Sequence, residues 1–109
     1  MRSTPPSPSR TFSFDEARAL VPVIRKLTQA TQDRLAVLGV SSDEEASEEA
    51  GRIVEEWAHE ISLLGADVKG LWLVDFDNGS GYYCWRFPEH DLEFYHSYEE
   101  GFEGRMRIH

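Results

Sequence analysis

The stretch LWLVDFDNGSGYYCWRFPEHDLEFYHS, residues 71–97, decides the fold that the sequence predicts. It contains three runs rich in aromatic and aliphatic residues, separated by two groups of turn-forming residues, Asn78-Gly79 and Pro88–Asp91. Runs of this kind, joined by short polar breaks, are typical of strands in β-hairpins. The stretch therefore predicts a three-stranded antiparallel sheet.

The two breaks predict how the three strands align. Asn and Gly both tolerate a positive φ, so the first break predicts a two-residue hairpin loop that places Val74 opposite Tyr83. The second break predicts a four-residue loop that places Trp85 opposite Phe94 on the same face. Because side chains alternate along a strand, a slip of one residue would move each of them to the other face.

This alignment gives the sheet two different faces. The first is a continuous apolar surface for the helices to cover, made by Trp72, Val74, Phe76, Tyr83, Trp85, Phe87, Leu92 and Phe94. The second is only about half polar, with Leu71, Leu73, Asp75, Tyr82, Cys84, Arg86, Glu93 and Tyr95. A fully solvated face would be more polar, so we expect the second face to contact another subunit, the chain's own tail or a ligand. A homodimer is the partner that this face predicts.

On the predicted alignment, Asp75 and Cys84 lie on the second face, whereas His96 lies on the first. The alignment therefore predicts that these three side chains do not form a metal site together, unless a bulge turns one of them.

Two amphipathic helices precede the strands. A capping box beginning at Ser13 opens the first, and apolar residues then recur at three- and four-residue steps until Gly39. The second is predicted to open at Ser41 or Ser42 and to end at Gly65. Since a short link between helices favours antiparallel packing, the predicted fold is α+β, a long antiparallel helical hairpin packed on the three-stranded sheet.

Composition limits the domain organisation and the partners. Residues 1–11 predict a disordered tail, and residues 12–109 a single α+β domain whose last segment is loop or an edge strand. The formal net charge of −9 opposes binding to nucleic acid and to anionic membranes. No stretch approaches the ~20 apolar residues of a membrane span. With Cys84 as its only cysteine and no secretory signal, the chain is expected in the cytoplasm.

Two residues of the distal part are candidate metal ligands. His96 is either hydrogen-bonded to the backbone at the edge of the core, or a ligand or acid–base group, because imidazole titrates near neutral pH. Glu89 follows Pro88 and is either a solvated turn residue or a carboxylate directed over the end of the sheet. Glu89 and His96, with one further oxygen, would hold a divalent metal ion.

Three more residues are candidates for structural or binding roles. Asp75 lies among apolar neighbours and needs a partner, which Arg86 or Arg105 would supply. Arg105 is otherwise placed to bind a carboxylate or phosphate. Cys84 is interpreted as a small buried apolar residue.

A resemblance to a known family is carried by the helical segment TFSFDEARALVPVIRKL and by two later segments, LVDF and YCWRFPEHDLEFYHSYEEGFEGR. From Thr11 to Arg105 the chain resembles an uncharacterised bacterial family, the domain of unknown function 2203. That family usually has glycine at the position of Trp72, and a first hairpin longer than residues 77–81 allow. The resemblance implies no reaction. It implies one cluster of polar side chains among aromatic rings, made of Asp75, Trp85, Glu89, His96 and Arg105.

Two classes of function follow from these residues. The first is a non-enzymatic interaction or regulatory module, with a polar pocket for a metal ion or an anionic group. The alternative is a small enzyme in which Glu89 or His96 is the general acid or base and Arg105 binds an anionic substrate.

Overall fold

Two helices and an antiparallel sheet make up the structure, a computed structural model that describes residues 10–39 and 44–108. The elements are α1 Phe14–Leu38, α2 Glu44–Leu63, β1 Asp67–Gly70, β2 Leu73–Asp77, β3 Tyr82–Arg86, β4 Phe94–His96 and β5 Met106–Arg107, with a 3-10 turn at Phe102–Gly104. The strands lie in chain order in one sheet. The α+β class is confirmed, but the sheet has five strands and not three. Most of the predicted tail, residues 1–9, lies outside the described residues.

Local signals place the helix ends. Ser13 Oγ accepts the Glu16 amide at 3.1 Å, and the Glu16 carboxylate accepts the Ser13 amide at 2.8 Å, so the predicted capping box is present. Gly39 and Gly65 follow the two helices with φ of 73° and 92°, a conformation that glycine adopts without strain. The predicted start of α2 at Ser41 or Ser42 lies outside the described residues.

The helices cover the first face of the sheet, as the sequence predicts. The core joins both helices to β2, β3 and the loop before β4 through Phe12, Ala17, Val21, Ile24, Trp57, Ile61, Ala66, Val74, Phe76, Trp85 and Leu92. Trp57 also donates from Nε1 to Thr28 Oγ1 at 2.9 Å, which joins α2 to α1 and satisfies both buried polar groups. None of the helices in the described ranges is long and apolar enough to cross a membrane.

The run VKGLWLVDFD, residues 68–77, is typical of one strand in the sequence but forms parts of two strands in the structure. The chain reverses at residues 71–72, so that β1 pairs with β2 and Val68 lies opposite Val74. Trp72 has φ 65°, in the left-handed region that glycine favours, and its ring contacts that of Trp57 at 5.0 Å. This is the position at which the resembled family usually has glycine. The two turn residues, Leu71 and Trp72, are apolar and continue the strand-like run after Gly70, which is why the sequence pattern misses the reversal.

The first hairpin has a wider loop than predicted. Asp77 pairs with Tyr82 and Val74 with Trp85, so the loop consists of residues 78–81 and Val74 does not face Tyr83. The side chain of Asp77 accepts the amide of Gly79, and that of Asn78 accepts the amide of Ser80, both at 2.9 Å. These side-chain turns stabilise the longer loop. The shift is two residues, so both faces keep their predicted members.

The second hairpin is shifted by one residue, which reverses β4. Cys84 pairs with Phe94, Tyr83 with Tyr95 and Tyr82 with His96. Phe94 and His96 therefore lie on the second face, and the predicted placement of β4 is wrong. The connection between β3 and β4 consists of residues 87–93 and is longer than the predicted four-residue loop.

Contacts within residues 87–93 explain the longer connection. The amide of Phe87 donates to the carbonyl of Trp72 at 3.0 Å, and the amide of Glu89 donates to the carbonyl of Arg86 at 2.8 Å. Leu92 is buried in the core, so the loop contributes to the hydrophobic interior before β4 begins. The predicted four-residue loop would also place Glu93 opposite Arg86, but in the structure Glu93 forms an ion pair with Arg107.

The chain's own C-terminal part covers the second face. The ring of Tyr98 lies 5.1 Å from that of Tyr82, and the guanidinium of Arg86 lies 5.5 Å from the ring of Phe102. Of the three predicted occupants of this face, the chain's own tail is therefore the one observed. The predicted homodimer is not tested by a single chain and stays a prediction.

Candidate functional site

Three central strands bring one acidic, one thiol and one imidazole side chain together. Cys84 on β3 lies opposite Asp75 on β2, and His96 on β4 shares their face. A carboxylate oxygen of Asp75, the sulfur of Cys84 and a ring nitrogen of His96 all lie within 4.8 Å of one another. The three residues are 2%, 0% and 3% exposed. The prediction that they stay apart is wrong, because the one-residue shift of β4 turns His96 onto the second face.

The imidazole of His96 is held at both nitrogens. Nε2 lies 2.8 Å from Asp75 Oδ2, and Nδ1 lies 2.8 Å from the carbonyl oxygen of Ser97. A carbonyl oxygen only accepts, so Nδ1 carries a proton. The contact between Nε2 and Oδ2 then contains one shared proton. Asp75 thus pairs with His96 rather than with the predicted Arg86 or Arg105.

One oxygen of Asp75 is left without a partner. Oδ1 is buried and accepts no hydrogen bond from the described part of the chain. Burial raises the pKa of Asp75 above its usual value, and the attraction of His96 offsets this only in part. The Cys84 thiol also lowers the pKa of this carboxyl group, although no donor in the described part of the chain meets hydrogen-bond geometry to Oδ1. A buried carboxylate oxygen without a donor is costly and suggests a missing partner.

Cys84 is a neutral thiol in this environment. Burial, followed by the neighbouring Asp75 carboxylate, raises the pKa of Cys84 to about 12. Arg105 acts in the opposite direction, with Nη1 at 4.0 Å from the sulfur. The thiol is therefore a poor nucleophile as the site stands.

Arg105 is held by a carboxylate and two aromatic rings. Its Nη1 and Nη2 donate to the two oxygens of Glu89 at 3.1 and 2.6 Å. The guanidinium lies 3.9 Å from the ring centre of Phe94 and 4.1 Å from that of Phe102. The amide of Arg86 donates to the same Glu89 carboxylate at 2.8 Å. Both partners are thus fully engaged with the protein.

The five predicted site residues fall into two adjacent sets. Trp85 Nε1 donates to the carbonyl of Glu89 at 2.8 Å and so joins the pair of Glu89 and Arg105. Asp75 and His96 form the other set. Cys84 lies between the two sets, and its burial confirms its interpretation as a small buried residue, whereas its proximity to His96 is not predicted. Its shared face with Asp75 is readable from alternation along the strands, whereas the arrival of His96 is not.

A pocket of about 250 Å³ opens beside Asp75 and His96. Tyr82, Tyr98, Lys69 and Glu100 contribute to its walls. Lys69 Nζ lies 4.4 Å from the ring centre of Tyr82 and donates to that residue's hydroxyl at 3.3 Å. Asp75 shares a proton with His96, so the remaining charged groups of the pocket wall are one carboxylate, Glu100, and one ammonium group, Lys69.

The fold and this site together define a small α+β protein with a buried carboxylate–imidazole–thiol cluster beside a polar pocket. The chain belongs to the uncharacterized conserved protein family DUF2203, whose profile matches residues 28–108. The matched range begins within α1, so the resemblance predicted for Thr11–Leu27 lies outside it. No curated protein and no solved structure gives a significant match.

Proposed function

We propose that this protein is a non-enzymatic binding module of the cytoplasm whose pocket takes a small cationic ligand. The observation that carries the proposal is the buried, unpartnered Oδ1 of Asp75 beside that pocket. A bound cation would supply the positive charge that this oxygen lacks and would offset the cost of burying the carboxylate.

The charges around the pocket argue against an anionic ligand. Arg105, the residue predicted to bind an anion, donates to both oxygens of Glu89 and lies between two rings. Lys69 is engaged with Tyr82, while Glu100 adds a carboxylate to the wall. An anion entering here would meet the Glu100 carboxylate and no free guanidinium.

The same contacts favour a binding module over the enzyme alternative. Glu89 would act as a general base only after its bidentate pair with Arg105 was broken. His96 is engaged at both ring nitrogens and is almost fully buried. A general acid or base must reach the proton that it transfers, but Glu89 does not line the pocket and both ring nitrogens of His96 are already hydrogen-bonded.

Ligand-dependent stability tests the proposal. We would measure thermal unfolding of the tag-free protein with the chlorides of Mg²⁺, Zn²⁺ and putrescine, and with sodium phosphate and citrate. At least one cation should stabilise the protein, by about 2.7 kcal/mol at a concentration 100 times its Kd. Asp75→Asn should lose that stabilisation, whereas His59→Ala, an exposed helical histidine, should keep it. Stabilisation by the anions alone, or equal stabilisation of Asp75→Asn, would refute the proposal.

A further inference from the structure

We propose that Asp75, Cys84 and His96 form a binding site for a divalent transition metal ion of the zinc class. The inference rests on the proposed function and specifies its ligand. It depends on the proximity of three potential ligand atoms within 4.8 Å, and on the buried Oδ1 of Asp75 that has no partner in the described chain.

The three ligand types determine the class of metal. Thiolate, imidazole and carboxylate are the ligands that Zn²⁺ takes in proteins, at about 2.0–2.3 Å. Mg²⁺ and Ca²⁺ use oxygen ligands, so a sulfur and a nitrogen ligand select against them. Three protein ligands leave a fourth tetrahedral position, which is open to the pocket because Asp75 and His96 also line it.

His96 already has the surroundings of a metal ligand. Its Nδ1 donates to the Ser97 carbonyl at 2.8 Å, which orients the ring with Nε2 towards Asp75. Metal-bound histidines usually donate their second nitrogen to a carbonyl or carboxylate in this way. Nε2 is therefore the nitrogen that would bind the ion.

Metal binding leaves the charge of the buried cluster unchanged. Before binding, the cluster contains the proton shared by Asp75 and His96 and the proton of the Cys84 thiol. The ion forms bonds to Sγ, Nε2 and a carboxylate oxygen, while the S–H bond breaks and both protons leave to solvent. Two positive charges replace two protons and no electron is transferred, so the exchange buries no additional charge.

Arg105 is placed to support the bound thiolate. Its Nη1 is 4.0 Å from Sγ and remains anchored by Glu89. Glu89 and Arg105 are therefore positioning residues. The sequence predicts Glu89 and His96 as metal ligands, whereas this proposal keeps His96 as a ligand and replaces Glu89.

Cobalt substitution tests the site in the wild-type protein. We would remove any tag and all metal, add Co²⁺, and record both the bound metal per chain and the near-ultraviolet spectrum. We expect about one ion per chain and a thiolate-to-cobalt charge-transfer band. Cys84 is the only cysteine, so this band reports on Cys84 without any substitution. Zn²⁺ should displace Co²⁺ and abolish the band.

Substitutions identify the remaining ligands. Asp75→Asn, Cys84→Ser and His96→Gln should each weaken Zn²⁺ binding at least about 100-fold, because each removes a direct ligand. Loss of an outer-shell partner alone already lowers metal affinity about 10–100-fold. His59→Ala controls for adventitious binding by surface histidine and should bind as wild type. Circular dichroism of each metal-free variant shows whether it folds, and the wild-type spectrum decides the question for any variant that does not.

The contrary outcomes are distinct. Failure to bind Co²⁺ or Zn²⁺, or binding without the charge-transfer band, would overturn the inference. Loss of binding in Glu89→Gln with retention in Cys84→Ser would also overturn it, and would assign the metal to Glu89 and His96. If putrescine alone stabilised the protein in an Asp75-dependent manner, the metal site would be refuted and the proposed function would stand.

Discussion

Arg105 stabilises the region next to the cluster through charge, geometry and aromatic contact together. The pair of Arg105 and Glu89 is 14% and 21% exposed, and its bidentate geometry needs a planar guanidinium. An ammonium group cannot reproduce two parallel hydrogen bonds or the same stacking between Phe94 and Phe102. The effect of a conservative substitution therefore measures how much this geometry contributes.

We predict that Arg105→Lys lowers the free energy of unfolding by about 1–3 kcal/mol, because a charge-assisted bidentate pair is lost while the charge is kept. Urea denaturation measures this change in the free energy of unfolding. Arg107→Lys is the matched control, since Arg107 and Glu93 form a pair that is 61% and 43% exposed. That substitution should change stability by no more than about 1 kcal/mol. Equal effects of the two substitutions would show that Arg105 is only a surface cation.

The Cys84 thiol gives the stability a dependence on alkaline pH. Its pKa rises from the ordinary 9.0 to about 12 in the folded protein, so the folded state holds its proton to higher pH than the unfolded chain. The free energy of unfolding should therefore fall between about pH 9 and 12 more steeply in the wild type than in Cys84→Ala. Denaturant unfolding of both proteins across this range measures the difference. Parallel pH curves would contradict the burial of the thiol.

Among the elements, the first hairpin and β4 are in direct contact at Gly81. A β-carbon at this buried position would lie 2.6 Å from the carbonyl oxygen of His96, which is backbone and cannot move aside cheaply. The absence of a side chain at Gly81 therefore lets β4 approach closely enough to bring His96 to Asp75.

We predict that Gly81→Ala lowers the free energy of unfolding by about 1–3 kcal/mol, through overpacking against β4. Gly51→Ala is the control, because Gly51 lies in α2 with no atom within 4 Å of the added carbon. That change should raise stability by about 1 kcal/mol through helix propensity. Both are measured by urea denaturation. A neutral Gly81→Ala would mean that β4 does not approach this loop as described.

The elements also show which parts of the fold the sequence predicts. Helix ends depend on contacts a few residues apart, as at Ser13 and Glu16, and the predictions for both ends of α1 hold. Loop lengths depend on distant partners. Phe87 donates to Trp72, and Leu92 inserts into the core, and neither contact is visible in the local turn pattern.

The candidate site was only partly predictable for the same reason. Alternation along each strand places Asp75 and Cys84 on one face whether the first hairpin shifts by two residues or not. His96 depends on the second hairpin, where a shift of one residue reverses the outcome. The residue types of the site are thus readable from the sequence, and their grouping is decided by one loop.

At the scale of the whole molecule, the sheet separates two environments. The helices bury the first face, while the chain's own residues after β4 cover the second and enclose the cluster. The net charge of −9 still opposes nucleic acid and anionic membranes as partners, which stays a prediction. The overall charge and the unpartnered Oδ1 of Asp75 both favour a cationic ligand.

The strand alignment that gathers Asp75, Cys84 and His96 is the claim on which the rest depends. Nuclear Overhauser contacts from the His96 ring protons in the folded protein test it most directly. We expect contacts to Tyr82, whose ring centre lies 5.4 Å away, and to Cys84 on the same face. Contacts instead to Tyr83 and Trp85, with none to Cys84, would restore the alignment that the sequence predicts and contradict the account.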